Sequence, residues 1–248
     1  MYKNIKLPAP QLSELKEVNI DLDMTGRHYA LIATSGDIPE DTALSVLHDL
    51  VDEDANKLTM SELYYLFTLV KIHSLEDDYT ATVECPYCKH TETYDLHLSD
   101  SDLHRTPDDY KAPEIEFCVD KEKGIEKFTL KPPTMDMESA LYNWYLTDKD
   151  ITYEDLQKDL STAMDYSFIR ACMCLVRPDG SRPVYEPNQF ETVLSWMDIN
   201  KFNKMNELYL KIDEINSFGV HIGERIEKCK ECGEDVVFHL PLFFGLLD

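Results

Sequence analysis

Residues 80–96, TATVECPYCKHTETYDL, place two cysteines between two strand-like stretches. Residues 80–84 and 91–96 alternate β-branched or aromatic residues with polar ones, which is typical of strands. Cys85 and Cys88 occupy the short segment between them. We therefore predict a β-hairpin that carries two thiols at its tip.

A second stretch, residues 219–240, GVHIGERIEKCKECGEDVVFHL, repeats this order near the other end of the chain. Residues 219–222 and 235–240 are again strand-like, and Cys229 and Cys232 lie between them. We predict a second hairpin whose tip matches the first.

Together the two tips have the composition of one zinc site. Zinc favours four thiolates at about 2.3 Å in a tetrahedral shell, and a C-x-x-C pair supplies two of them from one turn. The ordinary pattern separates its two pairs by about 15 to 20 residues, so this site requires a long insertion whose ends return to the same place. We predict that Cys85, Cys88, Cys229 and Cys232 bind one structural zinc, since four thiolates leave no open position for a reacting water.

A redox function is the alternative for these pairs. Reactive C-x-x-C thiols usually stand at a helix N-terminus, and neither pair opens a clear helix, although Pro86 and Tyr87 are similar to the residues between the redox cysteines of glutaredoxins. The other three cysteines, Cys118, Cys172 and Cys174, alternate with apolar neighbours or lie in an apolar helical run, so we interpret them as core thiols.

Three histidines, His90, His97 and His104, recur every seven residues near the first pair. His90 follows Cys88 closely enough to replace a ligand or to donate to a thiolate, and this alternative stays open. The other two have no complementary partner in the pattern. We find no arrangement of nucleophile, base and glycine-rich loop, so the sequence predicts no catalytic site.

Charge restricts the possible partners. The chain has 48 acidic residues against 24 lysines and arginines, a formal net charge of −24. Such a surface repels phosphate backbones, so we expect no nucleic-acid partner; mimicry of DNA toward a basic protein is a weaker alternative. Neither a membrane span nor a signal-peptide core is evident, so we expect reduced thiols in a cytoplasmic setting.

Hydrophobic periodicity predicts an α+β fold. We expect the first 35 residues to be extended, with 27–32 as the hairpin partner of 18–23, then helices and a hairpin, then a mostly helical region. The predicted helices are 41–51, 61–73, 137–145, 153–176 and 189–215, the last with a separate segment starting at Asp198 or Asn200, and the predicted hairpin strands are 114–119 and 126–130. We predict a zinc-ribbon-like β core built from both ends of the chain, residues 1–133 and 217–248, with a mainly helical insertion at 134–216.

Several short segments occur in an order that resembles a viral family. They are LTMSELYYLF at 58–67, VKIHS at 70–74, the first cysteine hairpin, DLHL at 95–98, FTLKPPTM at 128–135 and FHLPLFF at 238–244. In this order they resemble the baseplate hub proteins of T-even-type, contractile-tail bacteriophages.

This resemblance implies a protein without enzymatic activity that acts in baseplate or tail assembly through contacts with other hub or tail proteins, among them tape-measure or spike proteins. Two roles stay open: a hub subunit that remains in the virion tail, and a transient assembly chaperone in the host cytoplasm that is absent from finished particles. The resemblance supplies no catalytic residues, and it leaves the oligomeric state and the identity of the partner open.

Residues 240–247, LPLFFGLL, form a strongly apolar segment near the last residue. Chain ends are usually polar and frayed, so such a segment needs a groove to cover it. It either packs on the protein's own core beside the cysteine hairpins or anchors in a partner subunit.

Overall fold

The computed structural model describes residues 2–33, 39–74, 78–97, 99, 102–120, 124–148, 160–197, 201–221 and 224–239. The helices are α1 (Gly26–Ala33), α2 (Pro39–Leu50), α3 (Met60–Ser74), α4 (Met135–Asp148), α5 (Leu160–Met173), α6 (Phe190–Trp196) and α7 (Lys201–Asn216). The strands are β1 (Tyr2–Lys6), β2 (Glu17–Asp21), β3 (Asp78–Glu84), β4 (Thr91–His97), β5 (Asp102–His104), β6 (Glu114–Asp120), β7 (Gly124–Leu130), β8 (Leu175–Val176), β9 (Gly219–His221), β10 (Glu224–Lys228) and β11 (Asp235–His239). Helices and several small antiparallel sheets thus share one chain, as predicted for an α+β fold.

The first hydrophobic cluster is built by the N-terminal elements. The β2 strand turns Val18 and Ile20 inward, and helices α2 and α3 cover them with buried side chains such as Leu47 and Leu66. Strand β2 pairs with β1 in antiparallel register, with Ile5 opposite Val18. The apolar side chains of β2 therefore lie on one buried face, as the alternation in its sequence predicted.

The predicted hairpin partner of β2 is wrong. Residues 27–32 lie in helix α1, and β1 takes the place beside β2. His28 and Ile32 are one helical turn apart and both are buried, so a helix hides the two side chains that a strand would also have placed on one face.

The second hydrophobic cluster is formed by the β6–β7–β8 sheet together with α4, α5, α6 and α7. Its centre is aromatic: Phe128 stacks on Trp196 at 5.3 Å between ring centroids and meets Phe117 edge-on at 5.8 Å. Such pairs are favourable beyond the area that they bury. The β6–β7 hairpin predicted from the sequence forms one wall of this cluster.

Most other helix predictions are confirmed, with one difference. Leu175 and Val176, predicted to end a helix, form strand β8 and pair with β7, because the α5 helix ends at Met173 ahead of the Arg177-Pro178 stop. Residues 153–159, 198–200 and 240–247, which the predictions also covered, lie outside the described residues. The proposed division into a core and an insertion at 134–216 stays a prediction.

Backbone contacts join the two clusters. The N–H of Met135 donates to the carbonyl of Leu58 at 2.8 Å, and Thr59 forms a β-bridge with Thr134. At the start of α3 the Ser61 hydroxyl donates to the carbonyl of Phe218 at 3.0 Å. These contacts hold the last part of the described chain against the first.

Strand β9 belongs to this junction and not to the second cysteine hairpin. It pairs with β5, with Leu103 opposite Val220. The strand that leads into Cys229 is β10, so the sequence prediction that assigned residues 219–222 to that place is wrong. Strand β10 has the polar sequence ERIEK, which does not indicate a strand. In the described part of the chain no helix has the length and apolar character needed to cross a bilayer.

Candidate metal centre

The first cysteine turn closes the β3–β4 hairpin. The N–H of Cys85 donates to the carbonyl of His90 at 2.8 Å, and the N–H of Lys89 donates to the carbonyl of Cys85 at 3.0 Å. Lys89 has a positive φ of 63°, a conformation that L residues rarely adopt. The backbone therefore folds tightly around Cys85 and presents both thiols on one side.

The second cysteine turn has the same backbone pattern. The N–H of Cys229 donates to the carbonyl of Glu234 at 2.9 Å, and the N–H of Gly233 donates to the carbonyl of Cys229 at 2.8 Å. Gly233 has a φ of 76° and stands where Lys89 stands in the first turn. Two hairpins from distant parts of the sequence thus end in equivalent turns, as the repeated C-x-x-C pattern predicted.

The four sulfurs meet. Cys85 Sγ lies 3.7 Å from Cys232 Sγ, and Cys88 Sγ lies 3.7 Å from Cys229 Sγ. All four sulfur atoms lie within 4.8 Å of one another, so the group can hold a metal ion. A tetrahedron with metal–sulfur bonds of about 2.3 Å has edges of about 3.8 Å. The two short sulfur–sulfur distances therefore match the spacing that a single tetrahedral ion requires.

Backbone N–H groups favour the thiolate at the first cysteine of each turn. The N–H of Cys88, with a smaller contribution from that of Tyr87, lowers the pKa of Cys85 to about 7 against the opposing effect of burial. The N–H of Cys232 likewise lowers the pKa of Cys229. Each turn thus stabilises negative charge on sulfur through hydrogen bonds to the charged form.

The remaining thiols do not share this stabilisation. The N–H of Glu234 favours the thiolate of Cys232, but desolvation and the three neighbouring sulfurs raise its pKa to about 12. The pKa of Cys88 is also raised: the N–H of His90 lowers it, but desolvation and the thiols of Cys229 and Cys85 raise it. Four close thiols cannot all ionise without a cation, and metal binding releases their protons.

A polar contact outside the cysteines ties the two hairpins together. Glu92 on β4 forms an ion pair with Lys230 of the second turn and accepts its backbone N–H at 3.3 Å. The Tyr94 hydroxyl donates to the same carboxylate at 3.4 Å. The Lys230 ammonium lowers the pKa of Glu92. Sequence reasoning missed Glu92, because nothing distinguishes it among so many acidic residues.

The three histidines do not join the cysteines as candidate metal ligands. His90 contributes backbone groups to the first turn, and its ring is not part of the cluster that can hold a metal. His97 ends β4 and His104 ends β5, and neither joins that cluster. In the described ranges, the group of candidate ligands is the set of four cysteines.

The three other cysteines were predicted to be core thiols, and this is confirmed for two of them. Cys172 and Cys174 are buried, and burial raises the pKa of Cys174 to about 11. Cys118 is exposed, so that prediction is wrong. Ile115 and Phe117 occupy the inner face of β6, and strand alternation turns Cys118 outward, opposite Ile125.

Comparison with known proteins adds a finding over nearly the whole sequence. A family model described as T4 bacteriophage base plate protein matches residues 23–245, a range that includes both cysteine turns. Neither the curated proteins nor the solved structures provide a match.

Proposed function

The chain belongs to the T4 bacteriophage base plate protein family, and we propose that within the phage tail it is a subunit of the central baseplate hub that acts without catalysis. The family implies a structural role beside other tail and baseplate proteins. The order of short segments that resemble hub proteins, from residues 58–67 to 238–244, supports the finer assignment to the hub. The observation that carries the proposal is the family match over residues 23–245.

The proposed metal is zinc, held by Cys85, Cys88, Cys229 and Cys232. Sulfur–sulfur distances of 3.7 Å support a tetrahedral thiolate shell, and such shells are typical of structural zinc. Zinc would supply no chemistry beyond binding, because four thiolates complete its coordination. Its effect would be to join the β3–β4 hairpin to the β10–β11 hairpin.

The arrangement of the turns weighs against the redox alternative. Both cysteine pairs lie between antiparallel strands, so neither has a helix N-terminus to activate one thiol. The redox hypothesis predicts one hyper-reactive cysteine in each pair and no metal retained after chelation. Stoichiometric zinc that resists brief chelation would exclude it.

Partner contacts are expected with other hub or tail proteins, including tape-measure or spike proteins. A net charge of −24 favours basic partner surfaces over nucleic acid. The proposed metal would hold the two cysteine hairpins together before a partner binds. Binding at that surface would then order less of the chain, which favours a docking role.

Mass spectrometry of purified phage particles, alongside lysate of infected cells, tests the hub assignment. A hub subunit is present in particles in a fixed ratio to other baseplate proteins. Its absence from particles, together with its recovery from lysate in complexes with hub or tape-measure proteins, would replace the subunit with an assembly chaperone. Elemental analysis of the purified chain tests the metal, with one zinc per chain expected.

A further inference from the structure

The sulfurs of the candidate metal centre contact each other across the gap between the two hairpins. Cys85 Sγ of the first turn lies 3.7 Å from Cys232 Sγ of the second turn. Cys88 Sγ lies 3.7 Å from Cys229 Sγ. These two contacts use every sulfur once, and both of them join one turn to the other. The same four thiols can therefore form two disulfides at once, each between the β3–β4 hairpin and the β10–β11 hairpin.

Such disulfides need only a small movement of the hairpin tips. A disulfide bond is about 2.05 Å long, so each pair of sulfurs must approach by about 1.7 Å. The turn-closing hydrogen bonds from the N–H groups of Cys85 and Cys229 lie within their own hairpins, so the approach does not break them. Glu92 accepts the N–H of Lys230 and already holds the two tips together.

Each pair combines an exposed cysteine with a buried one. Cys88 and Cys232 are exposed. Their partners across the gap, Cys229 and Cys85, are each 2% exposed. An oxidant in solution therefore reaches the exposed sulfur first, and a buried thiol lies 3.7 Å away to react with the oxidised product. Redox-sensitive cysteines commonly have such a resolving cysteine beside them.

We propose that oxidation by a peroxide converts the four thiols into two disulfides that cross between the hairpins, Cys88–Cys229 and Cys85–Cys232. This modification differs from the chemistry of a catalytic dithiol, whose two cysteines belong to one C-x-x-C pair. It replaces the proposed metal link between the hairpins by a covalent one.

With hydrogen peroxide as the oxidant, each disulfide forms in two steps. The exposed thiolate attacks a peroxide oxygen: a sulfur–oxygen bond forms, the oxygen–oxygen bond breaks, and hydroxide leaves and is protonated to water. The buried thiolate then attacks the sulfenic sulfur: the sulfur–sulfur bond forms, the sulfur–oxygen bond breaks, and a second hydroxide leaves as water after protonation. Four thiolates thus give four electrons to two peroxides, which take up four protons and become four waters. The sulfurs then no longer serve as thiolate ligands, so the site releases the proposed zinc.

The crossed disulfides matter most where the surroundings are oxidising. They close loops between residues that are 141 and 147 positions apart, so they restrict the unfolded chain far more than a disulfide within one turn does. In the virion, and this consequence rests on the proposed function, a particle leaves a reducing cytoplasm and enters an oxidising medium. The joint between the hairpins then becomes covalent outside the cell.

Disulfide mapping in the full, unsubstituted chain tests the connectivity. The reduced protein is treated with a small excess of hydrogen peroxide, remaining thiols are blocked with N-ethylmaleimide, and unreduced peptides are analysed by mass spectrometry. Chymotrypsin cleaves after Tyr87 and trypsin after Lys230, so the two cysteines of each turn fall on different peptides. We expect the crossed pairs. Disulfides within the turns, the other crossed pairing, or no disulfide at all would overturn the proposal.

Thermal unfolding gives a second readout on the same unsubstituted chain. After chelation of the metal, the oxidised protein should have a Tm at least about 10 °C above that of the reduced protein, because the crossed disulfides close long loops. Disulfides within the turns would close loops of four residues and raise the Tm by only a few degrees, which would contradict the proposal. Cys118, exposed and outside the cluster, should form no disulfide within the chain.

Two double variants provide a matched comparison of rates. Cys88→Ser with Cys229→Ser keeps one crossed pair, whereas Cys229→Ser with Cys232→Ser keeps the pair of the first turn. Each variant retains one exposed and one buried cysteine, and each lacks half of the proposed metal ligands. The first should form its disulfide at least about tenfold faster, because its sulfurs are held in contact by the fold. Equal rates would contradict the proposal.

The zinc content of the untreated chain separates this proposal from that of the metal site. Zinc together with disulfides confined to the turns would refute the crossed disulfides and leave the metal site standing. Crossed disulfides in a chain that never holds zinc would support this proposal and refute the metal site. Mapping in purified particles, alkylated before they are denatured, tests the consequence for the virion, and free thiols at the four positions would refute that consequence.

Discussion

Replacing Cys232 by serine removes one of the four sulfurs at the point where the two hairpins meet. Cys232 Sγ lies 3.7 Å from Cys85 Sγ, and these two residues are 147 positions apart in the chain. Serine is a poor zinc ligand, so we expect the variant to lose the metal. The Glu92–Lys230 ion pair then still joins the hairpins, but its lysine side chain is exposed to solvent and such a pair stabilises little.

The magnitude follows from the length of chain that the metal closes. Cys88 and Cys229 are 141 residues apart, and a covalent crosslink that closes a loop of this length stabilises the folded state by about 5 kcal/mol in the chain-entropy description. The folded chain brings the two turns together before the metal binds, so the metal binds the folded state more tightly than the unfolded chain by about this closure free energy. For a chain of this size, about 5 kcal/mol corresponds to a decrease in Tm of about 10 to 20 °C.

The assay combines thermal unfolding with elemental analysis, each with and without a chelator. Unsubstituted protein should contain one zinc, and chelation should lower its Tm to near that of Cys232→Ser. The variant should contain little zinc and should not respond to the chelator. Cys118→Ser is the matched control, because Cys118 is exposed and outside the cluster; its Tm should stay within about 1 °C.

The clamp interpretation is refuted if Cys232→Ser retains stoichiometric zinc with an unchanged Tm. It is equally refuted if chelation removes the metal from the unsubstituted protein without lowering its Tm.

Three further predictions concern the junction and the second cluster. Burial raises the pKa of Glu62 from 4.5 to about 7, so between these pH values the folded chain keeps a proton that the unfolded chain releases. Urea unfolding should therefore show the free energy of unfolding falling by up to about 3 kcal/mol from pH 4.5 to 7. The Glu62→Gln variant should not show this loss. Arg170→Met leaves the Glu138 carboxylate buried without its cation and should cost about 3 kcal/mol in the same assay, of which Glu138→Gln in the same chain should recover a part. Gly219→Ala places a Cβ against a serine side chain at a φ of 118° and should cost about 3 kcal/mol, whereas Gly124→Ala, at a φ of 77° with open space around it, should cost about 1 kcal/mol.

The sequence was informative where a local pattern carries its own geometry. The β6–β7 hairpin shows alternation on both strands, and helix α3 lies close to the predicted range of 61–73, with a capping box of Thr59 and Glu62 at its start. The C-x-x-C repeat identified both turns. These features depend on contacts within a few residues, so the sequence displays them directly.

What the sequence did not display are partners that depend on distant chain. Strand β1 is mostly exposed and polar, so its sequence has no pattern that predicts its pairing with β2. Residues 219–222 looked like a cysteine hairpin strand, but β9 finds its partner in β5, more than a hundred residues away. Glu92 is selected at the cysteine site only because the fold brings Lys230 to it. Tertiary context decides each of these outcomes.

The separation of the two cysteine turns also sets an order of events during protein synthesis. A ribosome that adds about 5 to 20 residues per second needs about 7 to 28 s to cover the interval between them. During that time the earlier turn has two thiols and no counterpart, and the residues of the aromatic centre around Phe128 are synthesised before the later turn. Only a polypeptide translated as far as the later turn has all four cysteines of the proposed metal site, so metal binding would report that translation has passed that point.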